Sequence, residues 1–222
     1  EGKIADNAWE REFYRLAIKI SGAVQASRWT SIPEGGFIHS FNGPHSLFVD
    51  TIRSCRILVT SHLMGHRYHA EGDIKISLLE RALQHIVSTA KYSIYYGEGK
   101  DTYDVWGRTA HESIFNTNDG QYRCPNTQQG YSGFSTWTLG LAWAMLGFSE
   151  ELEAFADLED SAFETLGGKE NIIKTMEKAA QACCDFYIEH TPACGVCYWD
   201  TGAPNLHKIG DYLNQPADPF ND

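Results

Sequence analysis

The 222-residue sequence is poor in charge, at 21% Asp, Glu, Lys and Arg, and poorest in cations, with 18 Lys and Arg against 29 Asp and Glu. A net charge of −11 repels phosphate backbones and anionic lipid heads, because nucleic-acid binding draws on clustered Lys and Arg. DNA, RNA and membrane surfaces are therefore not expected partners. Long hydrophobic runs are missing too: the most apolar stretch, Leu139 to Phe148, is about half the roughly 20 residues that span a bilayer. The first residues lack both a basic segment and an apolar segment, so no signal peptide is visible and the compartment stays open.

Several catalytic signatures are also absent. Nine His are dispersed without HExxH or other paired spacing, which predicts no metal site. Neither GxSxG nor a glycine-rich phosphate loop occurs, which removes support for nucleophile-elbow hydrolases and nucleotide enzymes. No cofactor is implied. Six Cys are scattered (Cys55, Cys124, Cys183, Cys184, Cys194 and Cys197), and most read as small buried hydrophobes. Cys194 and Cys197 have knuckle or redox spacing, but no second CxxC completes a four-ligand zinc site.

Helical periodicity is what the sequence does have. Trp9, Phe13, Leu16, Ala17, Ile20 and Val24 recur at three and four, placing one apolar face on a helix from Asp6 to Ala26. A second helix is expected from Ser46, as N-cap, to Gly65, and a third from Asp73 to near Gly97. Asn118-Asp119-Gly120 predicts a hairpin or tight loop. A fourth helix, opening at Ser132 or Ser135, is apolar on every side and should be surrounded by protein. The fifth, Lys169 to His190, carries a single stripe and should lie outside. With no β-α alternation and no 20 to 50 residue repeat, the expectation is all-α, with inner and outer helix layers. Five helices do not close a double-layered ring, so the sequence is expected to be part of a domain.

Candidate chemistry sits in three places. Asp50, in the first turns of the second helix, is either a carboxylate that stabilises the helix dipole, with Arg53 as its i+3 partner, or a cleft acid able to give and take a proton. Gln129, Tyr131, Trp137 and Trp143 place an amide, a phenol and two indoles at the entry of the fourth helix, a set suited to the hydroxyls and flat C–H faces of sugars. For Trp143, core filling is the competing reading. His111, in a loop, is either a surface residue or a group that orients a hydroxyl or an anion.

Gly36 to Ser40, Val49 to Arg53, His111, Gln129 to Ser132 and Ser135 to Gly147 together resemble the unsaturated glucuronyl hydrolases of glycoside hydrolase family 88, related to family 105. The resemblance implies an (α/α)6 barrel of six helical hairpins, of the six-hairpin glycosidase type. Residues 1–222 would be part of one such catalytic domain, with helices of the barrel missing at both ends. It also implies an oligosaccharide partner and removal of a 4,5-unsaturated uronic acid from the non-reducing end of lyase-generated chains. In that chemistry a carboxylic acid protonates C4 of a vinyl ether, water activated by the same group adds at C5, and the hemiketal collapses. Asp50 falls on the family's acid/base aspartate, and His111 and Gln129 on pocket residues that bind uronate and position water. Trp137 and Trp143 match its aromatic wall, with Tyr131 beside them. Where the family usually carries Arg, this chain has Leu139. Two alternatives remain: hydrolysis of unsaturated galacturonyl-rhamnose on the same fold, and a non-catalytic carbohydrate-binding helical domain.

Overall fold

The structure, a computed structural model, describes residues 7–204 apart from 157 and 194. It comprises helices α1 (Ala8–Ser27), α2 (Cys55–Leu63), α3 (Leu78–Tyr92), α4 (Thr138–Ala156) and α5 (Lys169–His190). Short strands β1 (Trp29–Ile32), β2 (Gly35–Ile38), β3 (Ser46–Phe48), β4 (Tyr68–His69), β5 (Lys75–Ile76), β6 (Glu112–Phe115) and β7 (Tyr122–Asn126) lie between them. The helices dominate, but the expectation of an all-α chain is corrected. Strands of two to five residues are too short for a period of two to show in sequence.

Three of the helix starts are set by local chemistry that moves them from their expected positions. Ser46 is no N-cap. It lies in β3, paired antiparallel with β6, and a 3-10 helix, Val49–Ser54, precedes α2. In α3 the cap is Ser77, whose hydroxyl accepts the Glu80 amide at 3.2 Å, while Asp73 sits in an αL turn with φ 60°. The fourth helix begins at Thr138 rather than at Ser132 or Ser135. The hairpin is present: β6 and β7 pair antiparallel, and the Gly120 amide donates to Asn116 O at 2.7 Å across its turn.

A single main core lies where α2, α3, α4 and α5 meet the 3-10 helix. Leu79, Leu83 and Ile86 of α3 and Ile172, Met176 and Cys183 of α5 are fully buried in it. Burying each such side chain contributes about 1.5–3 kcal/mol. Helix α4 packs most closely on the 3-10 helix, because glycine leaves it no side chain there. A Cβ at Gly147 would come within 2.3 Å of Ile52 Cγ2. That approach fixes the segment bearing Asp50. The burial of α4 is nevertheless one-sided, since Leu139 and Leu146 are exposed, and so the expectation of a fully surrounded helix is corrected. On α1 the buried residues are Gly22 and Ala26, against α2, while the predicted apolar face points to solvent, with Trp9 75% and Phe13 63% exposed.

Candidate active site

The site is assembled from β3, β6 and the entry of α4. The 3-10 helix continues directly from β3 and places Asp50 in its first turn. The Val49 amide donates to the His111 carbonyl at 2.9 Å, so the backbone beside the carboxyl is tied to the backbone of the imidazole. Asp50 Oδ2 faces Arg53 at 4.0 Å, whereas Oδ1 is buried and has no hydrogen-bond partner.

His111 is buried immediately before β6, its ring between Phe48 and Trp137 at centroid distances of 4.9 and 4.5 Å. Its Nδ1 accepts the Gln128 amide at 3.2 Å and lies 3.0 Å from Thr127 Oγ1. An amide donor at Nδ1 fixes the tautomer, placing the neutral ring's hydrogen on Nε2. Nε2 is itself buried and unpartnered. Burial lowers the His111 pKa from the ordinary histidine range, opposed by the negative charges of Asp50, Glu112 and Asp200, of which Asp50 acts most strongly. One acceptor and one donor, each without a protein partner, thus occupy the same electrostatic neighbourhood.

The aromatic wall divides in two. Trp137 is 6% exposed and packs against His111 with the two rings tilted by 50°. Trp143 is half-buried, one turn into α4, and carries the Arg53 guanidinium 4.1 Å above its ring. Its face supports a cation instead of filling core. Gln129 and Tyr131 lie on the exposed loop between β7 and α4, with Tyr131 55% exposed.

Two buried carboxylates that spacing did not reveal hold this arrangement. Glu112, fully buried, accepts hydrogen bonds from Asn42, Ser46, Asn126 and Gln128. These tie β3, β6, β7 and the loop beneath His111 together. Asp200 accepts the Tyr131 amide at 2.9 Å and the Gly202 amide at 2.8 Å. Around it, Thr138 N–H donates to Trp199 O and Thr201 N–H to Thr136 O, each at 3.0 Å. Each carboxylate has a partner more than 60 residues away, Asn42 and Ser46 for Glu112 and Tyr131 for Asp200, and such pairs leave no short motif, so neither is legible in sequence.

Among the described residues, no group of three or more His, Cys, Asp or Glu is placed to hold a metal ion, and no helix is long and apolar enough to cross a membrane. Cys55 and Cys183 are buried, but Cys124 and Cys184 are exposed, which corrects the reading of most cysteines as core. Cys194 lies outside the described residues.

No model of a known protein family matches the chain. A curated relative, an unsaturated glucuronyl hydrolase of Formosa agariphila, is 27% identical over 127 residues, covering 56% of this chain and 26% of the relative. The solved unsaturated glucuronyl hydrolase of Bacillus sp. GL1, responsible for the degradation of glycosaminoglycan, superposes with a TM-score of 0.61 at 18% identity. It covers 87% of this chain and 44% of that one. A complex of such an enzyme with dGlcA-Glc-Rha-Glc gives the same TM-score, identity and coverage. The chain therefore spans less than half the length of these proteins. Within that span, it is similar to the unsaturated glucuronyl hydrolases in sequence and shares their fold.

Proposed function

We propose that the protein is a glycoside hydrolase that removes a 4,5-unsaturated uronic acid from the non-reducing end of lyase-generated oligosaccharides. The observation that carries this reading is the pair of buried, unpartnered atoms, Asp50 Oδ1 and His111 Nε2, beside an aromatic wall. Such a pair suits a water or a sugar hydroxyl that accepts from the ring and donates to the carboxyl. Asp50, as the acid, protonates C4 of the vinyl ether. The resulting carboxylate then takes a proton from water adding at C5, and the hemiketal opens to release the remaining sugar. One carboxyl serves both steps, in contrast to the flanking pair of ordinary glycosidases. His111 orients the water, and Gln129, Tyr131, Trp137 and Trp143 bind the sugar.

The test is loss of the ultraviolet absorbance of the C4=C5 bond on incubation with unsaturated disaccharides from glycosaminoglycan and pectin. Asp50→Asn is expected to slow this by about 10²–10⁴-fold, the usual contribution of a positioned acid/base. Full rate in that variant excludes the role.

We also propose that the described helices are part of an (α/α)6 barrel and of a single catalytic domain. In support, Trp9, Phe13, Leu16, Ile20 and Val24 form an exposed stripe on α1, the pattern of a helix face that packs on another helix. Phe13→Gln with Ile20→Gln is expected to destabilise the enzyme by several kcal/mol if helices cover the stripe, since solvent-facing substitutions usually stay within about 0.5 kcal/mol.

A further inference from the structure

We propose that Arg53 is a specificity-determining residue which receives the carboxylate of the sugar bound at Asp50. The inference rests on the site assignment above and concerns a residue that sequence spacing marks only as an ion-pair partner. Three observations carry it. The guanidinium lies 4.1 Å above the Trp143 ring and 4.0 Å from Asp50 Oδ2, so it is positioned inside the candidate site. Its side chain is 47% exposed and no hydrogen bond to another described residue engages its N–H groups, so its donors face open space. On the same helix as Trp143 and one turn before it, Leu139 is exposed and offers no charge.

Stacking on an indole uses the face of a guanidinium and leaves the in-plane N–H donors free, in the fork geometry that matches a carboxylate. The ion pair with Asp50 is long and partly solvated, a weak competitor for an incoming anion. In a protein of net charge −11, a uronate needs a local cation to offset repulsion at the site. Arg53 supplies one next to the acid, and Trp143 keeps it from collapsing onto Asp50.

The test compares wild type, Arg53→Met and Arg53→Lys on an unsaturated uronyl disaccharide and on its methyl ester, with folding checked by circular dichroism. Loss of a charge-assisted pair is worth roughly tenfold or more in affinity, so R53M should raise KM for the acid at least tenfold and leave KM for the ester and kcat nearly unchanged. R53K should recover part of the loss. Adding Leu139→Arg to R53M should restore acid binding, because residue 139 lies one turn from the same ring.

An equal effect on acid and ester, or an effect confined to kcat and its pH profile, overturns the proposal and leaves Arg53 as a modulator of Asp50. The binding arm is separate from turnover: calorimetry of wild type and R53M with glucuronate and with glucose. A wild type that binds glucuronate, loses it in R53M and yet consumes no double bond overturns the hydrolase reading alone. Equal glucuronate binding by the two proteins, or none by wild type, overturns the Arg53 assignment.

Discussion

The Val49 amide and the His111 carbonyl, 2.9 Å apart, join the 3-10 helix to β6 one residue away from Asp50. Because this link is between main chains, substitutions at 111 alter the ring while leaving the Asp50 backbone in place. His111→Asn should therefore reduce turnover more than stability, by about 10²-fold or more if the ring positions the attacking water. Activity should also fall as pH drops below the ordinary histidine range. Protonation puts a hydrogen on Nδ1 against the Gln128 amide, and burial delays this by lowering the His111 pKa. A pH–rate profile of wild type with no acid limb attributable to His111 would sink the assignment.

Gly147→Ala tests the seat of the segment that bears Asp50. The added Cβ meets Ile52 Cγ2 at 2.3 Å, in the core beneath Asp50, and relief requires α4 and the 3-10 helix to part. Overpacking of this kind costs about 1–3 kcal/mol. Denaturant melts should show that loss, with turnover reduced at temperatures where the variant is still folded.

Glu151 predicts an alkaline weakening. It is fully buried on α4 with both carboxyl oxygens unpartnered. Burial raises its pKa to about 8, partly offset by Arg56 and reinforced by Glu150. Buried Cys55 of α2 feels its charge. Between the ordinary value of 4.5 and about 8, the folded protein keeps a proton that the unfolded chain has released. Stability therefore falls through that window, at up to about 1.4 kcal/mol per pH unit, and levels above it. Glu151→Met should flatten the decline and raise Tm at pH 8. Parallel pH slopes for the two proteins would count against a neutral Glu151.

His85 acts in the opposite direction. Its Nδ1 accepts the Ile38 amide at 3.1 Å, joining β2 to α3, and burial lowers its pKa to about 3. The stabilisation is complete above the unfolded value of about 6.5 and is lost as pH falls toward 3, again at up to about 1.4 kcal/mol per unit. His85→Gln, which retains an acceptor, should lower stability at pH 7 but reduce the acid dependence seen in urea melts.

Sequence periodicity located helices α1 and α5 closely because their stripes run for more than four turns, and it found α3 but overran it by about five residues at each end. It misplaced the start of α2, where Ser46 to Phe48 pair with β6 rather than coil, since cross-strand partners 64 to 68 residues away leave no local mark. It also gave α1 an apolar stripe that is exposed among the described residues, because amphipathicity reports that a face is apolar and not what covers it. Trp143 was left between site and core for a related reason: an indole also reads as core volume, and nothing in the spacing reveals the cation resting on it. Asp50, His111 and Trp137 were legible as residue types near helix and strand ends. Glu112 and Asp200, which hold their surroundings in place, were not.

Asp200 has a consequence for how the site is completed. Its segment, Tyr198 to Gly202, docks on Thr136 to Thr138 through backbone and threonine-hydroxyl hydrogen bonds spanning 60 to 65 positions, with α4 and α5 looped out between them. Closing so long a loop comes late in folding and is undone early by partial opening. The entry of α4 is thus held by a clasp that can release while the helical core persists. Protease cleavage between α5 and Tyr198 would then abolish the proposed activity before the helical core unfolds.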